Sequence, residues 1–236
     1  MVPKFSLVIP CYNEADNIDP LIKNAIKIIQ NPLYEIVLVN NGSEDNTKNK
    51  IEFYAKKYAN IKIINIRKNI GFGYGVFEGL KNCSGNVIGY THADLQTDPN
   101  DFIKAVDWIT KNSNNKLCFV KGSRHSRNLI DVFFTRSMGI FISFIFGTYL
   151  HDIGAQPVVF NRELLKKCYI FPNNFTIEIF LYYLAKQNNY LIHRFNVNFP
   201  ERIYGIGNND NLNQKFKNSI IVIIESLLLR YKTLFK

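Results

Sequence analysis

One short segment of the chain combines metal-binding side chains at a spacing that lets them act together. His92, Asp94 and Gln96 occupy every second position directly after the apolar run of residues 87–90. Alternate residues of an extended segment point to the same side, so these three side chains can face one ion. Oxygen ligands of this kind suit Mg²⁺ or Mn²⁺ beside a diphosphate. The pattern therefore predicts a divalent metal site that follows a buried strand.

The end of this segment can be interpreted in two ways, as part of the metal site or as the start of a helix. Asp98 directly precedes Pro99, where a helix is predicted to begin. Both residue types are common at helix starts. Asp98 is therefore interpreted either as part of an acidic site or as a helix cap.

The elements that position this segment are predicted from the spacing of apolar residues. In the first half of the chain, strands are predicted at 5–10, 34–40, 61–66, 87–91 and 117–121. Helices are predicted within 16–30 and at 45–58, up to 82 after a glycine-rich turn, and at 99–110. This alternation is typical of a mostly parallel sheet with helices on both faces. Ligands bind beyond the carboxyl ends of such strands, so the loops there are expected to form the site.

The second half has longer helices and fewer strands. Helices are predicted at 130–149, 176–187 and 212–235, and strands at 157–160 and 190–199. We find no repeat, low-complexity tract or linker that would divide the chain, and 236 residues suffice for one domain with a sizeable core.

The overall charge of the chain points to anionic partners. Its 29 basic and 19 acidic residues give a net charge of +10. Phosphates, nucleic acid and acidic membrane surfaces all fit this charge. Nucleic acid is not expected, because the chain has no aromatic-basic RNA signature, zinc-finger spacing or basic-region heptad.

The cysteines and the apolar stretches indicate a cytoplasmic location. The four cysteines lie far apart with no C-x-x-C pair, so buried free thiols in a reducing compartment are expected. The N-terminus has no signal-peptide pattern, so secretion is not expected. The longest uncharged stretch, 137–150, is shorter than the about 20 residues that span a bilayer, and no transmembrane helix is predicted.

Three further loops follow predicted strands and carry polar or glycine residues. They are Pro10-Cys11-Tyr12-Asn13-Glu14 after the first strand, 39–45 after the second and 69–75 after the third. Each can approach a ligand at the carboxyl edge of the sheet, where helix N-termini also bind anions. Taken alone, these loops are better interpreted as ordinary turns and caps.

The loops and several later motifs form an ordered series along nearly the whole chain. The series is Val8-Ile9-Pro10-Cys11-Tyr12-Asn13-Glu14, Asn41-Gly42-Ser43-Glu44-Asp45, Asn69-x-Gly71, Ala93-Asp94-Leu95-Gln96-x-x-Pro99, Gly122-Ser123-Arg124, Asp152 and Glu201-Arg202-x-x-Gly205. Together these motifs resemble the inverting family 2 glycosyltransferases, especially the dolichol- or polyprenyl-phosphate sugar transferases. Each motif is modest, whereas the ordered set is specific.

The resemblance implies an α/β fold of the GT-A type. This is a Rossmann-like, mostly parallel sheet flanked by helices, as in nucleotide-diphospho-sugar transferases. Residues 1–236 would form a single GT-A domain. It would consist of a nucleotide-sugar-binding half (1–125), an acceptor half (126–211) and a C-terminal amphipathic helix (212–236).

The same resemblance implies a donor site for a UDP- or GDP-linked sugar. The residues implied to bind the donor are Pro10, Tyr12, Glu14, Asn41, Gly71, Ala93 and Asp94, the first four of these at the base and ribose. Asp94 and Gln96, with His92, would hold Mg²⁺ or Mn²⁺ against the diphosphate and so neutralise the departing nucleoside diphosphate.

Two positions depart from the family pattern. The family usually has Asp where this chain has His92, which weakens the case for tight Mg²⁺ binding and favours Mn²⁺, because Mn²⁺ tolerates imidazole better. The family also has Asp-Asp where this chain has Asn40-Asn41. Because the second Asp is absent, the resemblance does not determine which nucleotide base the donor carries.

Arginines account for the implied acceptor contacts. Arg124 and Arg136 resemble the family's contacts to an acceptor phosphate, and Arg202 resembles the arginine that closes over the pyrophosphate. The planar guanidinium group suits these positions because it binds phosphate oxygens bidentately. Arg127 is a weaker candidate that is better interpreted as a solvated loop charge.

The leading hypothesis is a metal-dependent inverting transferase that moves a hexose from a nucleotide sugar to polyprenyl phosphate. The first alternative is a sugar-hydroxyl acceptor in surface-polysaccharide assembly, which needs a carboxylate base. Glu178 is the candidate base, and a solvent-facing helix residue is its competing interpretation. The second alternative is a non-catalytic nucleotide-sugar-binding protein.

Two apolar segments are each compatible with more than one environment. Residues 133–146 fit a core helix or a helix that lies at a bilayer interface with Arg136 at its head. Residues 220–229 fit a packed helix, an oligomer contact or a membrane-surface anchor. We expect a peripheral protein at the cytoplasmic face of a membrane, and the second segment is compatible with a homo-oligomer.

Overall fold

A computed structural model of the chain describes residues 4–114, 116–125, 128–200, 202 and 212–235. Its centre is one sheet of seven strands, β1 (Phe5–Cys11), β2 (Tyr34–Asn41), β3 (Ile61–Ile66), β4 (Val87–Tyr90), β5 (Cys118–His125), β6 (Val158–Asn161) and β7 (Leu191–Asn198). The strand order is β3-β2-β1-β4-β6-β5-β7. Only β6 runs antiparallel to its neighbours. The mostly parallel α/β sheet predicted from the sequence is confirmed.

Helices cover both faces of the sheet. The first face carries α1 (Ala15–Asn24), α2 (Ile26–Ile29), α3 (Thr47–Lys57) and α5 (Asp101–Asn112). The second face carries α4 (Phe72–Lys81), α6 (Leu129–Phe146), α7 (Thr176–Gln187) and α8 (Leu212–Leu234). Central strands are therefore buried on both sides, and all eight residues of β2 are buried.

Three local differences from the predicted elements have physical causes. The helix predicted within 16–30 is divided into α1 and α2 at Ala25. Strand β5 continues through Gly122-Ser123-Arg124 to His125, because β7 pairs with it along its whole length. A 3-10 helix over Arg162–Lys167 was not predicted. In β5 a distant partner strand determines the conformation, and no local pattern reports that partner.

Helices α6 and α8 pack against each other and leave a wide apolar face exposed. Phe134 and Phe216 meet at 5.0 Å between ring centroids, and Lys215 Nζ lies 2.6 Å from Asp131 Oδ1. The exposed apolar side chains on α6 are Leu129, Ile130, Phe133, Ile140, Phe141 and Phe144; those on α8 are Phe216, Ile220, Ile221, Ile224, Leu227, Leu228, Tyr231 and Leu234. We call this set the α6–α8 surface.

The length and composition of α6 alone would allow it to cross a membrane, contrary to the expectation from its uncharged stretch. Its 18 residues span about 27 Å at the usual helical rise. One side of α6 nevertheless packs on the core, since Gly139, Ile142 and Phe146 are buried. The helix therefore has one protein-facing side and one free apolar side.

Candidate active site

The loops after β1 and β2 are joined by hydrogen bonds at one edge of the sheet. The backbone amide of Asn13 donates to Ser43 Oγ at 3.1 Å, and Asn13 Oδ1 accepts from the amide of Glu44 at 2.9 Å. The amide of Glu14 donates to Thr47 Oγ1 at 2.8 Å. Because β1 and β2 are parallel neighbours, both loops leave the sheet at its carboxyl edge, as predicted.

A cavity of about 260 Å³ opens between these loops and the end of β3. It is lined by Tyr12, Gly42, Ser43, Glu44, Arg67, Lys68 and Asn69. Tyr12 was predicted as a donor contact. Arg67 and Lys68 were not singled out, although their position directly after a predicted strand was the available signal. Their positive charges suit an anionic ligand.

Asn41 and Gly71 hold the turn behind this cavity together. Asn41 is 3% exposed, and its Nδ2 donates to the carbonyl oxygen of Gly71 at 3.1 Å. Gly71 has φ 135°, and a β carbon there would lie 2.3 Å from the carbonyl oxygen of Asn173. The glycine is required by close packing of two backbones. Neither residue is among those that line the cavity. The Oδ1 of Asn41 has no hydrogen-bonding partner among the described residues, and a contact of Asn41 or Gly71 with the donor stays a prediction.

Asn40 likewise bonds within the protein. Its Nδ2 donates to Asn65 Oδ1 at 3.2 Å, and its Oδ1 accepts from the amide of Ser43 at 3.1 Å. The asparagine pair that replaces the family's Asp-Asp is thus used in internal hydrogen bonds. Pro10 and Ala93, two further predicted donor contacts, are also buried, and a contact of either with a ligand stays a prediction.

Glu14 lies near the predicted metal segment. Its Oε2 accepts a hydrogen bond from Asn17 Nδ2 at 2.5 Å. Burial raises the pKa of Glu14 above its ordinary value, and the neighbouring Asp94 carboxylate raises it further, while Asn17 and Arg202 oppose the change. The Asp94 carboxylate is thus close enough to influence the pKa of Glu14.

Asp94 is the most constrained carboxylate of the site. It is 4% exposed, and its Oδ1 accepts from the amide of Gln96 at 3.1 Å. Its Oδ2 accepts from Arg202 Nη2 at 2.6 Å. The structure thus brings together Asp94, Gln96 and Arg202, as the resemblance implied.

His92 faces an aromatic stack. Its ring lies 5.2 Å from that of Phe72, which in turn stacks on Phe175 at 4.8 Å. Within the described ranges, no three His, Cys, Asp or Glu side chains are grouped so that they could hold a metal ion. The role of His92 as a metal ligand stays a prediction.

The donor atoms at Asp94 and Gln96 fit a hard divalent cation. Asp94 supplies a buried carboxylate whose negative charge is balanced by a cationic side chain in the structure. Gln96 Nε2 donates to the carbonyl oxygen of Pro200 at 3.2 Å, which leaves the amide oxygen of Gln96 for an ion. Oxygen ligands of this type are the ones that Mg²⁺ and Mn²⁺ accept.

Asp98 forms the turn before α5. Its Oδ1 accepts from the amide of Asn100 at 2.9 Å, and its carbonyl oxygen accepts from the amide of Asp101, the first helical residue. The exposed Asp98 therefore takes part in the turn that starts α5, which supports its interpretation as a helix-start residue.

A second charged group lies at the end of β5. Arg124 donates to Asp152 Oδ1 through Nε at 2.8 Å and through Nη2 at 2.5 Å, while its backbone amide donates to Oδ2 at 2.9 Å. Burial alone would raise the pKa of Asp152, but Arg124 and then Arg194 outweigh it and hold this pKa below its ordinary value. Asp152 is therefore an ionised partner that holds the side chain of Arg124 in place.

Arg194 on β7 supports the same turn and was missed by sequence reasoning. Its Nη1 donates to the carbonyl oxygen of His151 at 2.7 Å, and its Nη2 donates to that of Gly122 at 2.6 Å. Its guanidinium group also lies 3.6 Å from Asp152 Oδ2. Arg194 reaches this turn because β7 pairs with β5, and the sequence does not reveal that pairing.

Not all predicted acceptor residues are brought together. Arg136 is exposed on α6 and has no hydrogen bond or ion pair with any residue in the described part of the chain. Arg127, Glu201 and Gly205 lie outside the described residues.

Glu178 is not the solvent-facing residue that one interpretation expected. It lies in the first turn of α7 and is 2% exposed. Its Oε1 accepts from Gln156 Nε2 at 2.7 Å, and its Oε2 lies 3.6 Å from Lys121 Nζ. The apolar environment of α7 buries this carboxylate with two polar partners.

Several proteins with similar sequences have names that refer to a lipid phosphate. The dolichol-phosphate mannosyltransferase of Pyrococcus furiosus is 34% identical over 123 residues, which are 51% of this chain and 35% of that protein. The dolichyl-phosphate beta-glucosyltransferase of Dictyostelium discoideum is 27% identical over 218 residues, 83% of this chain and 66% of that protein. The chain thus spans between about one third and two thirds of the length of these relatives.

The fold is shared with a solved glycosyltransferase. Glucosyl-3-phosphoglycerate synthase from Mycobacterium tuberculosis, crystallised with Mn²⁺, UDP and glucosyl-3-phosphoglycerate, superposes with a TM-score of 0.71. The match covers 97% of this chain and 80% of that protein at 17% identity, and it confirms the GT-A fold.

Residues 6–168 match the glycosyl transferase family 2 profile. This match covers more than half of the chain and includes the loops after β1, β2 and β4, together with Arg124 and Asp152. The chain belongs to glycosyl transferase family 2.

Proposed function

We propose that this chain transfers a hexose from a nucleotide-diphospho-sugar to a polyprenyl phosphate at a membrane surface, with inversion at the anomeric carbon. The observation that carries the proposal is the connection between Arg124 and the apolar helix α6. Helix α6 begins at Leu129, shortly after Arg124, and Ser143 Oγ near its end accepts from the amide of Leu150, two residues before Asp152. A lipid phosphate has an anionic head and an apolar tail, and this region offers a partner for each.

The donor is proposed to occupy the cavity between the β1, β2 and β3 loops. Tyr12 offers an aromatic ring to the base, and Arg67 and Lys68 offer positive charge to phosphate. Asp94 and Gln96 would hold Mg²⁺ or Mn²⁺, which neutralises the charge of the leaving diphosphate. His92 is proposed as a third ligand, as the spacing of the segment implies.

The proposed reaction needs no general base. An oxygen of the acceptor phosphate, already ionised at neutral pH, forms the new bond to the anomeric carbon. The bond from that carbon to the nucleoside diphosphate breaks on the opposite side, and the electron pair leaves with the diphosphate. Arg124 and Arg136 would orient the acceptor phosphate, and Arg202 would contact the pyrophosphate. Position and charge neutralisation supply most of the rate enhancement.

The alternative of a sugar-hydroxyl acceptor has less support. It requires a carboxylate that can reach a hydroxyl group, and Glu178 is buried beside Lys121. Membership of a transferase family also favours catalysis over a non-catalytic nucleotide-sugar-binding protein.

The α6–α8 surface is proposed to lie on the lipid headgroups of a cytoplasmic membrane face. Exposed cations accompany the apolar side chains: Arg136 on α6, and Lys217 and Lys232 on α8. An apolar face with basic residues at its margins suits anionic lipid. Because α6 packs on the core with one side, it would lie along the interface with the other. Self-association through the same surface is the competing outcome.

A transfer assay with defined substrates tests the proposed function. UDP- and GDP-sugars are screened with Mn²⁺ or Mg²⁺ against citronellyl phosphate, a short polyprenyl phosphate, and against free glycans. We expect metal-dependent transfer to the lipid phosphate. Transfer to glycan hydroxyl groups alone would contradict the proposal, and a lack of both transfer and metal-dependent donor hydrolysis would favour a non-catalytic protein.

A further inference from the structure

A buried polar group lies directly behind Arg124. It consists of Lys121 on β5, Gln156 in the turn before β6 and Glu178 on α7, with Tyr90 of β4 beside them. Lys121 and Gln156 are 0% exposed and Glu178 is 2% exposed. Lysine and glutamate are almost never fully buried unless paired, so their presence here calls for an explanation.

The group is held together mainly by charge. Lys121 Nζ and Glu178 Oε2 are 3.6 Å apart, beyond hydrogen-bond distance. Four buried polar atoms of this group have no hydrogen-bonding partner among the described residues: Lys121 Nζ, Glu178 Oε2, Gln156 Oε1 and the hydroxyl oxygen of Tyr90. A buried ion pair with unsatisfied atoms contributes little to stability, because desolvation offsets the attraction. A role in function is therefore the better explanation.

The free oxygen of Glu178 faces the same turn as the guanidinium group of Arg124. A β carbon placed on Gly154 would lie 3.7 Å from Arg124 Nη2, 3.8 Å from Nη1 and 3.9 Å from Glu178 Oε2. The guanidinium group of Arg124 and the Oε2 of Glu178 thus both border the space beside Gly154. Among the described residues, the side chain of Arg124 forms an ion pair with Asp152 through Nε and Nη2, and its guanidinium carbon lies 5.2 Å from the centroid of the Phe199 ring.

This pairing leaves Nη1 of Arg124 without a hydrogen-bonding partner among the residues that the structure describes. Nη1 is the donor through which Arg124 can bind a phosphate oxygen. A negative charge on Glu178 that nothing neutralised would compete with the phosphate for this donor. Lys121 is the cation nearest to Glu178 and removes that competition.

We propose that Lys121 is a positioning residue for the acceptor phosphate, because its ammonium group neutralises Glu178 and so keeps Arg124 directed towards the phosphate. The inference rests on the proposed function, which places the acceptor phosphate at Arg124. In this inference Glu178 takes part in charge balance and does not act as a general base.

The charge of Lys121 depends on pH in an accessible range. Burial lowers the pKa of Lys121 to about 8, against an opposing effect of Glu178. The other charged or titratable groups around Lys121 are Arg194 on β7, Arg124 on β5, and His151 and Asp152 in the turn before β6, while Tyr90 on β4 lies near Glu178. As pH rises through about 8, Lys121 loses its proton and Glu178 is left uncompensated. The acceptor KM should therefore rise above this pH.

The test compares the purified full chain with K121M, K121R, K121M/E178Q and R124A in transfer to citronellyl phosphate. At pH 7, K121M should raise the acceptor KM about tenfold or more with an unchanged donor KM. K121R keeps the charge and should remain near wild type, and K121M/E178Q should recover most of the loss because the competing carboxylate is gone. Calorimetric binding of citronellyl phosphate should follow the same order.

The pH profile keeps the test independent of folding defects in K121M. Between pH 7 and 9 the wild-type acceptor KM should rise, whereas K121R and K121M/E178Q should lack this rise. An unchanged acceptor KM in K121M with a lower Tm, or a wild-type profile retained in K121R and the double variant, would overturn the inference. Failure of the proposed function is distinct, since R124A would then leave acceptor binding unchanged.

Discussion

Arg202 and Asp94 form an ion pair at 2.6 Å between Nη2 and Oδ2, although 108 residues separate them in the chain. The guanidinium group therefore occupies the carboxylate oxygen that a divalent ion would use. In the proposed function, Asp94 would hold a divalent ion through this oxygen and would then release Arg202. Arg202 would then be available to contact the pyrophosphate, which would link donor binding to the position of the Arg202 side chain.

The first prediction concerns the carboxylate of this pair. Asp94→Asn should lower transfer by about a hundredfold or more, because the buried site loses the charge that balances a metal ion. The fold should persist by circular dichroism, and Mn²⁺ affinity measured by calorimetry should fall. Asp98→Asn, an exposed aspartate of the same loop, is the matched control and should retain activity. Full activity of Asp94→Asn at saturating metal and donor would refute the assigned role.

His92→Asp should keep or raise activity with Mg²⁺, because it restores the oxygen ligand that the family usually has. The ratio of Mg²⁺-supported to Mn²⁺-supported transfer should increase. His92→Ala is the control, since it removes the contact with Phe72 without adding an oxygen. Both variants should lose about 0.5–1.5 kcal/mol of unfolding free energy from that contact. A collapse of activity with both metals in His92→Asp would mean that the imidazole has its own chemical task.

The sequence predicted the sheet because each strand is a local apolar run and each helix has its own periodicity. It did not predict the antiparallel direction of β6 or the extension of β5, since both depend on partner strands distant in the chain. The motif loops were correctly placed because parallel strands bring their carboxyl ends to one edge.

The same limit applies to the site. Asp94 and Gln96 were recognisable from spacing alone. The pairing of Lys121 with Glu178 was not, because a lysine at the end of an apolar run resembles the end of a strand. Asn41 was assigned to the donor by resemblance, and that role stays a prediction; the hydrogen bond from its Nδ2 to Gly71 could not be predicted, because it joins two loops distant in the chain.

Alkaline pH should destabilise the chain through its buried thiols. Burial raises the pKa of Cys83 from 9.0 to about 12. The folded state therefore keeps a proton that the unfolded state loses, so the contribution is complete below pH 9 and is lost as pH rises towards 12. Cys83→Ala should reduce the fall in unfolding free energy by about 1.4 kcal/mol per pH unit above pH 9. Denaturation with reductant at several pH values measures the difference, and parallel curves for both proteins above pH 9 would contradict it.

Arg124→Ala should raise the acceptor KM or lower kcat by about one to two orders of magnitude, because a charged hydrogen bond to phosphate contributes about 1.5–3 kcal/mol. Donor binding should barely change. Arg124→Lys should rescue only part of the loss, since it lacks the planar fork. Lys166→Ala, an exposed cation on the 3-10 helix, is the control.

Arg136→Ala should show the same direction of change with no loss of stability, because Arg136 is exposed. Glu178→Gln should be mild in the same assay, since no proton is removed from a phosphate acceptor. Neutral arginine variants together with a crippled Glu178→Gln would instead favour a sugar-hydroxyl acceptor.

The last prediction concerns the α6–α8 surface. Phe144 is 87% exposed on α6, and Phe53 is 60% exposed on α3, which covers the other face of the sheet. Phe144→Asp should weaken binding to vesicles that contain anionic phospholipid by about tenfold or more. It removes an apolar side chain whose burial contributes about 1.5–3 kcal/mol and adds a repelled charge. Phe53→Asp should bind like wild type in the same sedimentation assay. Equal binding by both variants would mean that another surface meets the membrane, and a monomer formed only by Phe144→Asp in ultracentrifugation would assign the α6–α8 surface to self-association.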